Sequence, residues 1–235
     1  EKEGYKIGFS VIDMENPYFI TLESAIREAV EDEEAILVTK DPASDPQLQA
    51  QQIQEFIEDG IDAIFISPVD WVAITPSLEA LKEAGILIIN VDTQVKEMQY
   101  VDAYIGSDNE EAGYICGQDL IERCPDGGNV LILECPTQNS INDRITGFEK
   151  ALSKATVGFE VVGRIDTNGE FEKALDATKA LLEEHPENES CDVCHGHCLV
   201  VPAGCLDGKQ LAPLFWSGSC VFRDVFPSGI QVYDE

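Results

Sequence analysis

The residues best equipped for chemistry crowd one short stretch, "CDVCHGHC", Cys191 to Cys198. It contains Cys-x-x-Cys-His, the spacing of covalent c-type haem attachment, and it offers three thiols and two imidazoles to a zinc ion. A zinc set of Cys191, Cys194, Cys198 and His195, or His197 in its place, is chemically open, with Cys205 as a further thiol. A second pair of ligands at ribbon spacing is missing, and haem would need an axial ligand at a point where a buried strand belongs. The expectation is therefore no metal and no cofactor. Elsewhere the chain has little to support catalysis. It has three histidines in all, no G-x-G-x-x-G after its first strand, no Walker loop and no G-x-S-x-G elbow.

The composition sets further bounds. Apolar residues make up 44% of the 235 positions, as in an ordinary globular protein. No run of about 18 apolar residues is present, so no segment reads as a membrane span. The 45 acidic residues against 15 basic ones give a formal net charge of −30. A surface this negative repels a phosphate backbone, which argues against nucleic-acid binding and suits solubility in a secreted or surface setting. The first 115 residues carry no cysteine, so a disulfide scaffold is not indicated.

The elements that must position any site alternate along the chain. "YKIGFSV" (Tyr5 to Val11) reads as a buried strand, and "NPYFITLESAIREAVED" carries Phe19, Leu22, Ile26, Ala29 and Val30 at helical spacing. "AILVT" is a second strand. Asp45-Pro46 opens a second helix that closes at Gly60, "DAIFIS" is a third strand, and a helix over "VAITPSLEALKEAG" ends at Gly85. "ILIINV" and "AYIGS" continue the strands. Helices follow from about Asn109 to Arg123, over Ser140 to Lys154 and from about Glu170 to Glu184, between the strands "NVLILE" and "FEVVGRI". Near-continuous apolar strands alternating with helices predict parallel sheets covered on both faces. In such sheets ligands bind beyond the carboxyl ends of the strands. Those positions here are "DMENPYF", "SPVDW", "DTQ", "ECPTQNSINDR" and "DTNGEF", all rich in polar and aromatic residues.

In unbroken order over residues 5 to 187, "KIGFS", "NPYF", "DAIFISPVD", "GILIINVDTQ", "YIGSDNEEAG" and "NDRITGFEKAL" resemble the periplasmic sugar-binding proteins of ABC importers. The resemblance is to the ribose-binding type, whose fold is shared with the effector cores of LacI-type repressors. It implies an α/β fold of two Rossmann-like lobes, the type I periplasmic-binding-protein fold. The lobes would be residues 1–103 and 104–190, the second incomplete, with an atypical Cys-rich tail over 191–235. It also implies a monosaccharide ligand, either a pentose or a hexose, held between the lobes, and no enzyme activity. The partners would be ABC permease subunits, the state monomeric, and the location periplasmic or extracellular, with a removed signal peptide or a lipoprotein anchor. A LacI-type effector core is the alternative function, and an enzyme or metalloprotein built on the tail thiols is a third class.

The resemblance carries ligand roles onto matching residues. Asn16 matches a first-loop asparagine, and Tyr18 and Phe19 match the aromatics that sandwich the sugar. Asp92 matches a carboxylate that accepts two hydroxyls, and Arg144 a guanidinium from the second lobe. Ser67 stands where the ribose-type pattern has asparagine, and Thr93 where it has arginine. Asp70, Gln94 and Asn168 complete the candidate set, while Asp108 and Asn109 read as helix capping. Read without the resemblance, Asn16-Pro17 is an ordinary cap and first-turn proline, Tyr18 and Phe19 could be core, and Arg144 an exposed ion pair.

After "NESCDV", a plausible strand start, the expected pattern stops. The tail has no clear amphipathic helix, and it reads as out-of-frame translation from near Val193, a divergent folded ending being the alternative. Loss of the late strands would leave sheet edges uncovered and favour aggregation. Resequencing the coding DNA across residue 193 checks the reading: a frame change there is expected, and an unbroken frame contradicts it.

Overall fold

Strands that are apolar on both sides need helices on both faces of the sheet, and the computed structural model, which describes residues 4–184 and 191–195, is built that way. The first sheet holds β1 (Lys6–Ser10), β2 (Ile36–Lys40), β3 (Ala63–Ile66), β4 (Leu87–Val91) and β5 (Ala103–Ile105). Their order is β2-β1-β3-β4-β5, every pair parallel. Helices α1 (Pro17–Asp32), α2 (Pro46–Glu58) and α3 (Thr75–Glu83) connect them. The second unit comprises α4 (Asn109–Arg123), β6 (Gly128–Glu134), α5 (Asn139–Leu152), β7 (Phe159–Asp166), α6 (Phe171–Glu184) and β8 (Cys191–His195). Its sheet runs β7-β6-β8, again parallel.

The period of two along β3 divides the first core. Ile64 and Ile66 join Ile53 and Phe56 of α2 and Leu78 and Leu81 of α3 on one face. Phe65 turns to the other, toward Phe9, Leu37 and the α1 residues Phe19 and Val30. Each such large side chain, once buried, contributes about 1.5–3 kcal/mol. Asn16 and Asp45 cap α1 and α2 with prolines behind them, as their sequence order predicts.

Two boundaries differ from expectation. The third helix starts at Thr75, not Val72, because the Asp70 carboxylate gathers the Val72 and Ala73 amides into a separate turn. The stretch expected to begin a tail at residue 191 starts as β8, with Asn129 paired to Cys191 and Leu133 to His195. Cys198 of the zinc set, with His197 and Cys205, lies outside the described residues.

Helices α4 and α5 touch backbone to backbone. A Cβ on Gly113 would lie 1.8 Å from the carbonyl oxygen of Arg144, and one on Gly147 would lie 1.8 Å from that of Glu110. Leu120, Ile141, Ile145 and Phe148 fill the space between these helices and the sheet. Gly113→Ala and Gly147→Ala must push the helices apart, a change that costs about 1–3 kcal/mol each. Thermal unfolding should show each variant melting several degrees below the parent, whereas Gly158→Ala, with open space around it, should not move.

Candidate functional site

Parallel pairing brings the carboxyl ends of β1, β3 and β4 to one edge of the first sheet, and two buried amides fix the loops that leave it. Gln49, fully buried on α2, donates through Nε2 to Ser10 Oγ (3.2 Å) and to Ser67 O (3.1 Å). Its Oε1 accepts the Val69 amide at 2.9 Å. Asn90, at 0% exposure on β4, donates to Ile66 O and Thr93 O, both at 2.9 Å, and accepts the Val95 amide at 3.1 Å. These bonds replace the backbone pairing that the chain loses where it leaves the sheet. They set the positions of Ser67 to Asp70 and of Asp92 to Gln94.

Asp92 is the centre of the arrangement. Its backbone sits in the left-handed region at φ 62, a conformation uncommon for a residue with a side chain. Its amide donates to Ile105 O at 2.9 Å and its carbonyl accepts the Tyr104 hydroxyl at 2.8 Å, which together hold it there. Burial raises the pKa of its carboxyl. The Arg144 guanidinium opposes this most, followed by the Thr93 and Ser67 hydroxyls. Thr93 Oγ1 lies 3.2 Å from Asp92 Oδ2. Ser67 Oγ is near enough to stabilise that carboxylate, yet it is buried without a well-formed hydrogen bond.

Tyr18 faces the same charges. Its phenol pKa is pushed up to about 12, first by desolvation and then by Asp92, with Arg144 pulling it down. The residue as a whole is 54% exposed, so it stands at the surface of the group it faces. Tyr104 is likewise pushed up to about 12, by desolvation and then by Asp92.

Arg144 comes from α5, so the site draws on both sheets. Direct bonds also join the two sides: Trp71 N donates to Thr137 O at 3.0 Å, and the Thr93 and Ser140 hydroxyls meet at 2.8 Å. Arg144 Nε donates to Asn109 Oδ1 at 2.8 Å. Beside this group lies a polar recess of about 370 Å³, lined by Gln94, Tyr104, Asp108, Asn109, Glu110 and Asp143.

The structure thus brings together Tyr18, Ser67, Asp92, Thr93 and Arg144, with Gln94 at the neighbouring recess. Asn16 stands beside Tyr18 as the α1 cap, its Oδ1 accepting the Tyr18 amide at 2.9 Å. Three expected ligand residues are placed otherwise. Phe19 is 3% exposed in the α1 core and supports Tyr18 edge-on, with ring centroids 5.1 Å apart. Asp70 Oδ1 is committed to the Val72 and Ala73 amides, because the turn after β3 needs a cap. Asn168 adopts φ 52 in the exposed loop after β7, its side-chain Nδ2 donating to Glu170 Oε1 at 3.0 Å. Among the described residues no group of three His, Cys, Asp or Glu is placed to hold a metal ion.

Sequence reasoning missed Gln49, Asn90, Tyr104, Ser140 and the role of Asn109. A polar residue inside an apolar strand, as Asn90 is in "ILIINV", was the available signal. Asp108 is the α4 cap, its Oδ1 accepting the Glu111 amide at 2.9 Å; Asn109 instead turns to Arg144.

Two parallel α/β units meeting along the carboxyl ends of their strands, with ligand-type side chains from both, define the class of two-lobed binding folds. The chain belongs to the periplasmic binding protein domain family, whose model matches residues 7–204. It is 25% identical over 187 residues to the ribose import binding protein RbsB of Bacillus subtilis, spanning 79% of this chain and 60% of that protein. It is 27% identical over 192 residues to a D-ribose/D-allose-binding protein of Pseudomonas aeruginosa, spanning 77% of this chain and 60% of that one. A solved ABC transporter solute-binding protein of Mycobacterium smegmatis with bound glycerol superposes with a TM-score of 0.73 at 28% identity, over 81% of this chain and 66% of that one. The chain therefore spans about 60% of the length of these curated relatives. The first is named as an import binding protein and the second as a binding protein for D-ribose and D-allose, and the family's description is periplasmic. No helix among the described residues is long and apolar enough to cross a membrane.

The raised pKa of Asp92 means that the folded state keeps this proton to higher pH than the unfolded chain does. The group's contribution to stability therefore falls as pH rises through the interval between the two pKa values. Asp92→Asn removes that loss. In calorimetric scans without ligand it should melt above wild type at about pH 7, with the gain shrinking as pH falls toward about 4, the unfolded value, and gone below it. An Asp92→Asn protein that melts below wild type at about pH 7 contradicts the assignment.

Proposed function

We propose that this chain captures a monosaccharide between its two lobes and delivers it to the membrane subunits of an ABC importer, without chemical conversion. The observation that carries the proposal is a carboxylate and a guanidinium from opposite lobes, Asp92 and Arg144, within electrostatic reach of each other and of the half-exposed Tyr18. An aromatic face suits the C–H face of a sugar ring. An ionised carboxylate accepts from two hydroxyls, and a guanidinium donates to ring and hydroxyl oxygens with the stronger charge-assisted bonds. Asn16 has its amide nitrogen to offer, since its Oδ1 serves the helix cap. Ser67 Oγ gains a partner when a ligand hydroxyl reaches the Asp92 carboxylate, and Gln94 lines the neighbouring recess.

Ligand binding would shift the balance of open and closed lobes toward the closed form, which the Trp71–Thr137 and Thr93–Ser140 bonds join directly. In this reading the protein acts as a monomer in the periplasm or outside the cell, free or held by a lipid anchor. The ligand is a pentose or hexose, and the names of the relatives make D-ribose and D-allose the first to try.

A thermal-shift panel of pentoses and hexoses tests this. A sugar at ~100 times its dissociation constant adds about 2.7 kcal/mol to the folded state, a visible rise in melting temperature. Arg144→Ala and Asp92→Ala should each abolish that rise. A panel without a hit, or a hit that survives both substitutions, overturns the proposal.

A further inference from the structure

The guanidinium of Arg144 is useful for recognition only if its plane is held, because a freely rotating arginine side chain loses rotamer entropy on every binding event. We infer that Asn109 is the positioning residue for Arg144, fixing the guanidinium across the α4–α5 contact so that it points toward Asp92. The inference rests on the reading of Arg144 as a ligand contact.

Three observations carry it. First, Asn109 Oδ1 accepts Arg144 Nε at 2.8 Å, and Asn109 is 7% exposed, so water competes little for its oxygen. Second, the orientation of the Asn109 amide is itself set. Its Nδ2 donates to Ser107 O at 3.2 Å, which leaves the oxygen to face Arg144. Third, the helices cannot slide relative to one another at this point. The close contacts at Gly113–Arg144 and Gly147–Glu110 lie within about one helical turn of the pair, and Lys150 Nζ bonds Glu110 Oε1 at 2.6 Å across the same crossing.

A carboxamide oxygen on Nε fixes the plane of the guanidinium, and that decides where its two terminal nitrogens lie. Capping does not account for Asn109, since Asp108 already serves the α4 amides. An alanine at 109 would keep the helix and lose the hold. An aspartate would keep an oxygen acceptor in the same place.

The test uses the full 235-residue chain and two readouts. The first needs no sugar: the exchange rate of the Arg144 Nε–H proton in ¹H–¹⁵N NMR spectra, assigned by its absence in Arg144→Lys. Exchange should be at least about tenfold faster in Asn109→Ala than in wild type, and slow again in Asn109→Asp. The second is calorimetric titration with D-ribose and D-allose. Asn109→Ala should weaken whichever sugar binds wild type by about tenfold, Asn109→Asp should recover most of it, and Asn109→Ala should add nothing in an Arg144→Ala background. Unchanged Nε–H exchange in Asn109→Ala overturns the positioning role, and so does an affinity loss that stays additive without Arg144. Failure of wild type to bind either sugar counts against these two ligands for the cleft, while the exchange rates still decide what Asn109 does.

Discussion

Two buried carboxamides, Gln49 and Asn90, hold the first lobe's half of the cleft. A parallel sheet ends at its carboxyl edge with backbone groups that have no further strand to meet, and loops that leave such an edge are ordinarily free to vary. Here Asn90 satisfies three of those groups and Gln49 two, with the Ser10 hydroxyl as its third partner, at distances between 2.9 and 3.2 Å. With the loops fixed, Asp92 can occupy a left-handed backbone conformation and Ser67 can remain buried with an unsatisfied hydroxyl. Both are costly arrangements that a loosely held loop would relax. Among the described residues only Ser67 Oγ and Gln52 Oε1 are buried side-chain polar atoms without a partner, and Ser67 Oγ lies near the Asp92 carboxylate.

The second lobe reaches a comparable rigidity differently. Its helices α4 and α5 meet through glycines, so their separation is set by backbone contact and not by adjustable side chains. Arg144 and Asn109 sit at that crossing, and the guanidinium is the favourable charge for a carboxylate that burial would otherwise push toward its neutral form. In a chain with a formal net charge of −30, a cation at the cleft matters more than its number suggests. The surrounding surface is acidic, while Asp92 and Arg144 set opposite charges against each other at the carboxyl edge of the first sheet.

Much of this was legible in the sequence because it depends on periodicity and on punctuation. The helix over Asn109 to Arg123 begins and ends where the spacing and Asp108 cap indicate, and Asn16-Pro17 and Asp45-Pro46 open their helices as written. Tyr18, Asp92 and Arg144 entered the candidate set through the family resemblance, and each follows a strand or lies early in the helix after one. What could not be read was how polar groups pair across distant parts of the chain. Asp70, Asn168 and Asn109 are all short polar side chains near an element boundary. One caps a turn, one bonds its own loop, and one crosses to another helix. Spacing along the chain cannot separate these outcomes, since they depend on which backbone amides remain unpaired once the sheets are assembled. The cysteine cluster stood out in the sequence for its residue types, but the first five of its residues form a strand of the second sheet.

The most direct test of the account is a crystal structure of the chain grown with the sugar that raises its melting temperature most. The account predicts one sugar between the lobes, its ring against Tyr18 and its hydroxyls on Asp92 Oδ1 or Oδ2 and on the Arg144 guanidinium, with Ser67 Oγ in a hydrogen bond. A sugar bound away from these residues, or one that leaves Asp92 and Arg144 untouched, would contradict it.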